Sequence, residues 1–116
     1  MSWLDLNKTE DYVLKNDKGT PPIVWKIGVI SSYLFARISG ESEKKEIDTA
    51  YRLLQLSLKG WENSPVPYGT VKEKIFDREI EVVPISTLER LPLTVISELS
   101  IKSMQVNNLM DDERKN

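Results

Sequence analysis

The chain of 116 residues contains no cysteine and no histidine. Without cysteine there is no disulfide and no thiolate nucleophile, and without either residue the usual ligands of zinc are missing. A catalytic triad that uses histidine as its base is excluded for the same reason. The absence of cysteine also fits a reducing compartment. We therefore expect a protein that has no disulfide, holds no metal and needs no cofactor.

Glycine and long apolar runs are also scarce. The five glycines are scattered at turn positions, so the sequence has no glycine-rich phosphate loop, and we expect no enzymatic activity. The most apolar stretch, 29–38, is interrupted by serine and arginine and falls short of the roughly 20 residues that a spanning helix needs. The first residues lack the basic flank and apolar stretch of a signal peptide. We expect no membrane segment, and a location in a cytosol or in a particle assembled there.

Neither basic nor acidic residues dominate the composition. The 16 basic and 18 acidic residues leave a net charge of −2, which gives no broad attraction to nucleic acid or to anionic membranes. Apolar residues make up 40% of the chain and charged residues 29%, as in an ordinary globular protein. A chain of this length forms one domain with one core. The composition therefore predicts a small globular domain.

The pattern of apolar residues predicts a single α+β domain, with two β-hairpins packed against two longer helices and one short helix. We place this domain at 10–108, between an N-terminal arm at 1–9 and a charged flexible tail at 109–116. The arm contains Trp3 and two leucines, which would dock on the domain's own core or on a neighbouring protein.

The first hairpin and the short helix come from the first 40 residues. Residues 11–15 and 23–29 have the composition of strands, and Trp25 shares one face of the second strand with two isoleucines. A loop with Asn, Asp, Gly and two prolines separates them, so we predict a long-looped hairpin. Ser31 is a suitable N-cap for a short helix, and Gly40 a suitable end.

The strongest helical pattern follows Ser42. Apolar residues recur with helical spacing along one face, and Lys59 and Gly60 are expected to end the helix. Leu56 lies away from the centre of that face, where it could meet another element or a partner. The predicted core face consists of Ile47, Ala50, Tyr51, Leu54 and Leu58.

A second hairpin and a C-terminal helix complete the predicted fold. Strands at 70–75 and 79–83 are joined by a turn at 76–78. Ser86 and Glu89 have the spacing of a capping box, which predicts a helical turn there. A longer helix follows, at about 92–107, with a core side that consists of Val95, Ile96, Leu99 and Met104.

Two charged clusters are candidate sites. Carboxylates near the start of the long helix could bind a divalent metal, but Lys44 and Lys45 lie among them, and acidic residues are favoured at helix starts by the helix dipole. We therefore interpret them as a solvated helix start. The carboxylates in question are Glu41, Glu43, Glu46 and Asp48.

The second hairpin offers a basic wing that could touch a phosphate backbone, formed by Lys72, Lys74 and Arg78. Arg52 and Lys59 on the preceding helix could extend it, although they also fit the outer face of an amphipathic helix. The acidic residues of the same hairpin, Glu73, Glu79 and Glu81, neutralise it locally. A nucleic-acid-binding module is therefore the alternative function, and not the leading one.

The tryptophans can serve either a core or an interface, because aromatic residues dominate both. We assign Trp25 to the core because of its place in a strand. Trp61 follows the predicted helix end directly, and both a core lid and an interface role stay open for it.

An ordered succession of short motifs spans 21–116. They are Pro21–Ile27 (PPIVWKI), Leu58–Asn63 (LKGWEN), Val66–Tyr68 (VPY), Leu91–Leu99 (LPLTVISEL) and Asp112–Asn116 (DERKN). This succession resembles small tail-region morphogenesis proteins of tailed bacteriophages, of the tail-assembly-chaperone type. The resemblance implies a non-enzymatic protein that acts in the host cytoplasm during assembly, or in the virion.

The same resemblance implies partners and a contact surface. The expected partner is the tail tape-measure protein or another virion protein, and self-association into an oligomer is a further possibility. The motif that ends in Asn63, together with the following VPY segment, is where we expect the contact. The predicted partner-binding residues are Trp61, Glu62, Asn63 and Tyr68.

Overall fold

The computed structural model describes residues 9–40 and 46–115 and confirms the α+β class. The predicted arm therefore lies outside the described residues except for Thr9, and so do Glu41 and Glu43 of the acidic cluster. The elements in chain order are β1 (Thr9–Tyr12), β2 (Val24–Gly28), α1 (Ser32–Gly40), α2 (Glu46–Ser57), β3 (Leu58–Glu62), β4 (Val71–Ile75), β5 (Arg78–Val82), α3 (Ile85–Leu88) and α4 (Leu93–Lys115).

Three strands form an antiparallel sheet in the order β1-β2-β3. The predicted pairing of the first two strands is confirmed, and Tyr12 lies opposite Trp25. Trp25 in turn lies opposite Trp61, so three aromatic side chains line up across one face of the sheet. In the loop between β1 and β2, the carboxylate of Asp17 accepts hydrogen bonds from the backbone N–H groups of Gly19 and Ile23.

The third strand corrects the prediction for the long helix. That helix ends at Ser57, and Leu58, Lys59 and Gly60 belong to β3. The pairing of β2 with β3 shifts register at Lys26 and Ile27, so that Lys59 is passed over in the ladder as in a β-bulge. Leu58 still reaches the core, but it does so from a strand.

The strands β4 and β5 form the predicted second hairpin, closed by Phe76 and Asp77. Phe76 has a φ of 58°, a left-handed conformation that a two-residue hairpin turn requires. Ile75 and Val82 are buried on the inner face of the hairpin. This face packs on α1 and α2.

The structure confirms one of the predicted helix starts and corrects another. The backbone C=O of Ser31 accepts the N–H of Phe35, which places Ser31 at the start of α1 as predicted. The capping box at Ser86 is wrong, because Pro84 is the N-cap of α3 and makes no side-chain cap bond. The turn begins earlier because the carbonyl of Pro84 accepts the N–H groups of Thr87 and Leu88.

The helix α2 lies between two groups of buried side chains. One group joins the three-stranded sheet to α2, α3 and α4, and includes Trp25, Leu54 and Leu99. The other joins α1 and the hairpin to α2, and Leu53 and Leu56 contribute to it. Leu56 therefore meets another part of the same chain. The side chain of Gln55 is also buried, and it bonds to Glu73 and to the backbone carbonyl of Val83.

The helix α4 begins at Leu93, one residue after the predicted start, and its backbone continues to Lys115. It therefore passes the predicted start of the tail at 109. Ile96 and Leu99 are buried as predicted, but Met104 is 46% exposed and lies outside the core. Ser103 and Asn107 are buried in its place. The Asn107 side chain accepts the backbone N–H of Ile30 at 2.9 Å, which ties α4 to the start of α1.

Candidate partner-binding surfaces

The predicted contact residue Trp61 is mostly buried, with 8% of its surface exposed. Its ring centroid lies 5.2 Å from that of Trp25 and 5.0 Å from that of Tyr68, which it meets edge-on. The indole N–H donates to the backbone carbonyl of Val66 at 2.7 Å. The side chain thus joins the sheet to the segment that follows β3.

The other three predicted contact residues differ in exposure, and of these only Tyr68 is in ring contact with Trp61. Glu62 and Asn63 are exposed, and Tyr68 is half-buried. Asn63 has a φ of 69° and donates from its side chain to the carbonyl of Pro22, so it fixes the end of β3. The hydroxyl of Tyr68 donates to the carbonyl of Leu58, and burial, with the charge of Glu81, raises its pKa. Their role in partner binding stays a prediction.

The outward face of the three-stranded sheet carries a row of alternating charges. Lys26 lies at its centre, 3.3 Å from a carboxylate oxygen of Asp11 on β1 and 3.2 Å from one of Glu62 on β3. The hydrogen bonds to Glu62 and Asp11 raise the pKa of Lys26. Glu62 is therefore already paired within its own chain.

The structure does not gather the predicted basic wing into one patch. Lys72 lies opposite Glu81, and Lys74 opposite Glu79, on the outward face of the hairpin. Arg78 lies opposite Ile75 on the other face, so it points away from both lysines.

The two residues that could have extended the wing are also engaged elsewhere. The Arg52 guanidinium lies 3.8 Å from Glu73 and donates to Gln55. The ammonium of Lys59 donates to the carbonyl of Leu56, and burial lowers its pKa. Neither side chain joins Lys72 and Lys74 in a continuous basic surface.

The exposed face of α4 was not predicted as a site, and its composition is unusual. Leu93 is 60% exposed, Ile101 59% and Met104 46%. A solvated helix face is normally rich in charged residues. Between 93 and 107, however, the exposed side chains of α4 are all uncharged: Leu93, Thr94, Ser97, Ile101, Met104 and Gln105.

The two charged residues of this helical segment are turned toward β1. Glu98 accepts the Tyr12 hydroxyl at 2.6 Å and the backbone N–H of Lys15 at 2.9 Å. Lys102 pairs with Glu10 at 3.1 Å. The hydrogen bond to Glu98, with burial and the charge of that carboxylate, raises the pKa of Tyr12 to about 12. Between residues 93 and 107, these contacts leave the opposite side of α4 without a charge.

A second unpredicted cluster lies where the hairpin tip meets α1. The guanidinium carbon of Arg37 is 5.7 Å from the ring centroid of Tyr33 and 4.5 Å from that of Phe76. The guanidinium carbon of Arg78 is 4.4 Å from the Tyr33 ring. Arg37 also donates to the Tyr33 hydroxyl at 2.7 Å. The spacing of Tyr33 and Arg37, four residues apart on a helix, was the only local signal for this cluster.

No three potential metal-ligating residues converge within residues 9–40 and 46–115. None of the helices in this described part of the chain combines the length and apolarity needed to cross a bilayer. Comparison with known proteins finds no significant match to a family model, to a curated protein or to a solved structure.

Proposed function

We propose that the protein is a non-enzymatic binding protein that acts through protein–protein contacts, and that the uncharged face of α4 is its principal contact surface. The observation that carries this proposal is the exposure of Leu93, Ile101 and Met104 on a face that has no charged side chain between residues 93 and 107. Apolar side chains gain free energy when a partner removes them from water, at roughly 25 cal/mol per Å² of area buried.

The biological process and the partner that we propose come from the sequence resemblance to phage tail morphogenesis proteins. The partner we propose is the tape-measure protein of the phage that encodes the chain. The tape-measure protein would lay a helix or an extended apolar segment against the exposed face, since the small side chain of Ser97 on that face allows close approach.

Co-expression with the tape-measure protein tests this proposal. The full chain carries an affinity tag, and co-purification is compared for the wild type, Ile101→Lys and Met104→Lys. Each lysine places a cation in the centre of an apolar contact, so we expect retention of the partner to fall at least about tenfold. Both positions are exposed, so the free energy of unfolding should change by less than about 0.5 kcal/mol.

The matched control is Val71→Lys, which adds the same charge at an apolar residue that is 45% exposed on β4. This variant should retain the partner as the wild type does. Equal co-purification by wild type, Ile101→Lys and Met104→Lys would refute α4 as the contact surface. Absence of the tape-measure protein from the wild-type preparation would refute the partner.

Mass spectrometry of purified virions distinguishes whether the protein is a structural component of the particle or an assembly chaperone. A structural component would be present at a fixed copy number in the particle. An assembly chaperone would be absent from virions but present with tape-measure protein in extracts of infected cells.

A further inference from the structure

Arg37 and Arg78 are held in place by aromatic rings, and neither pairs with a carboxylate among the residues that the structure describes. Both guanidinium groups lie against Tyr33, and Arg37 also covers Phe76. Stacking on a ring immobilises a guanidinium while its N–H edges stay available for bidentate bonds. Because the side chains are already ordered, a ligand would bind them at a small cost in conformational entropy.

This cluster is rich in donors, and in the described part of the chain no carboxylate is paired with it. The Tyr33 hydroxyl oxygen accepts from Arg37, which leaves the hydroxyl proton for another acceptor. Neither arginine forms an ion pair with a carboxylate whose position the structure describes, whereas Lys26, Arg52 and Lys102 all do. Both arginines are exposed residues, so an anion from outside the chain can reach them.

The surrounding charges decide which kind of anion fits. The hairpin at 71–82 carries three basic and four acidic residues. Asp77 is exposed at the hairpin tip, directly before Arg78, and Glu79 follows it. A nucleic-acid backbone repeats its charges along its length, so it would meet these carboxylates after its first contacts. A short group of carboxylates ends before it reaches them.

We propose that Arg37 and Arg78, positioned by Tyr33 and Phe76, bind neighbouring Asp or Glu side chains of an acidic segment on a partner protein. Each guanidinium would donate two parallel hydrogen bonds to one carboxylate, and the Tyr33 hydroxyl would donate a further one. This surface is formed by α1 and the hairpin tip, and it does not depend on the contact proposed for α4.

Fluorescence anisotropy with a short labelled peptide, in which two Glu residues are flanked by Gly, tests this inference at low salt. We expect the full chain to bind this peptide and not a peptide with Gln in place of Glu. The double variant Arg37→Gln/Arg78→Gln should weaken binding at least about tenfold, because it removes the charge-assisted bonds. The affinity of Arg37→Lys/Arg78→Lys should lie between those of the wild type and the Gln double variant, because lysine keeps the charge but not the planar guanidinium.

The control is Lys72→Gln/Lys74→Gln, which removes the same charge from the outward face of the same hairpin and should leave peptide affinity unchanged within about twofold. Circular dichroism melting checks that each variant is folded. Failure of the wild type to bind the Glu peptide, or equal binding by the Arg37→Gln/Arg78→Gln variant, would overturn the proposal. Tighter binding of a single-stranded oligonucleotide, lost in the Lys72→Gln/Lys74→Gln variant, would overturn it in favour of a nucleic-acid wing.

Discussion

The indole rings of Trp25 and Trp61 meet across β2 and β3, with centroids 5.2 Å apart and planes inclined by 57°. This contact gives a structural role to much of the GWEN motif. Trp61 fills the core, Glu62 pairs with Lys26, and Asn63 adopts the left-handed turn that ends the strand. A contact with a partner through this motif would have to use the exposed surfaces of Glu62 and Asn63, which already bond within the chain.

Replacement of Trp61 by alanine should strongly destabilise the fold. The change removes a buried ring that contacts Trp25 and Tyr68, and it leaves a cavity beside the sheet. We expect the free energy of unfolding to fall by about 3–5 kcal/mol in urea denaturation followed by far-ultraviolet circular dichroism. Trp61→Phe should cost less, since it keeps part of the ring. A loss below about 1 kcal/mol would show that the indole is not part of the core.

Gln55 makes three hydrogen bonds, two of which connect α2 to the second hairpin and the residue that follows it. Its amide N–H₂ donates to Glu73 and to the carbonyl of Val83, and its oxygen accepts from Arg52. Gln55→Leu keeps a similar volume but leaves the Val83 carbonyl without that donor, so we expect a loss of about 1–3 kcal/mol. The matched control, Gln105→Leu on the exposed face of α4, should change stability by less than about 0.5 kcal/mol. Equal losses in the two variants would contradict the proposed network.

Gly28 provides room for the side chain of Lys59. A Cβ atom at Gly28 would lie 2.8 Å from Cγ of Lys59, so Gly28→Ala must displace that side chain and its bond to Leu56. We expect a loss of about 1–2 kcal/mol in the wild-type background. In a Lys59→Ala background the same change should be neutral or slightly stabilising, because alanine restricts the unfolded chain.

The double-mutant cycle of Gly28→Ala and Lys59→Ala measures this coupling directly. A coupling energy of at least about 1 kcal/mol is expected. Gly60→Ala is the control, because its Cβ would meet nothing closer than 3.8 Å. Additive effects in the cycle would show that the two residues do not share space.

The hydrogen bond between Tyr12 and Glu98 should make stability fall at alkaline pH. The pKa of Tyr12 rises from 10.0 to about 12 on folding, so the unfolded chain loses this proton first. The contribution is therefore fully present below pH 10.0 and is lost as the pH rises toward 12. Thermal unfolding of the wild type and of Tyr12→Phe across this range should show a steeper decline in the wild type. Parallel curves would exclude a role for this proton.

The same hydrogen bond should also make stability fall at acid pH, because it lowers the pKa of Glu98. The Tyr12 hydroxyl, followed by the backbone N–H of Lys15, lowers the pKa of Glu98 below 4.5. Its contribution to stability is present above that value and is lost as the pH falls through the lowered pKa of the folded state. Glu98→Gln should therefore flatten the acid side of the stability profile. Glu89→Gln, at an exposed residue before α4, is the control and should leave the profile unchanged.

The α+β class and both hairpins were predictable because their signals are local. Strand β3 was not. Leu54 and Leu58 are spaced as neighbours on one helix face, and a segment with Lys and Gly has little strand propensity. Pairing with β2 decides its conformation, and that contact is between segments far apart in the chain.

The two candidate surfaces were missed for a related reason. Glu98 and Lys102 would ordinarily point to solvent, and only their contacts with Tyr12 and Glu10 show that the exposed side of α4 is uncharged between residues 93 and 107. Arg78 was predicted to lie with Lys72 and Lys74, but the two-residue turn sets it on the other face of the hairpin. The direction in which these side chains point depends on which elements pack together, and it cannot be predicted from the sequence pattern of one element alone.

The packing of α4 also has a consequence for biosynthesis. The Tyr12 hydroxyl and Glu98 are 86 residues apart in sequence, and Ile30 and Asn107 are 77 residues apart. Translation makes α4 after every element that it covers, so a nascent chain that ends before α4 cannot bury the aromatic face of its sheet. We expect the chain to fold only after α4 has left the ribosome, and until then to depend on cellular factors that shield apolar surface.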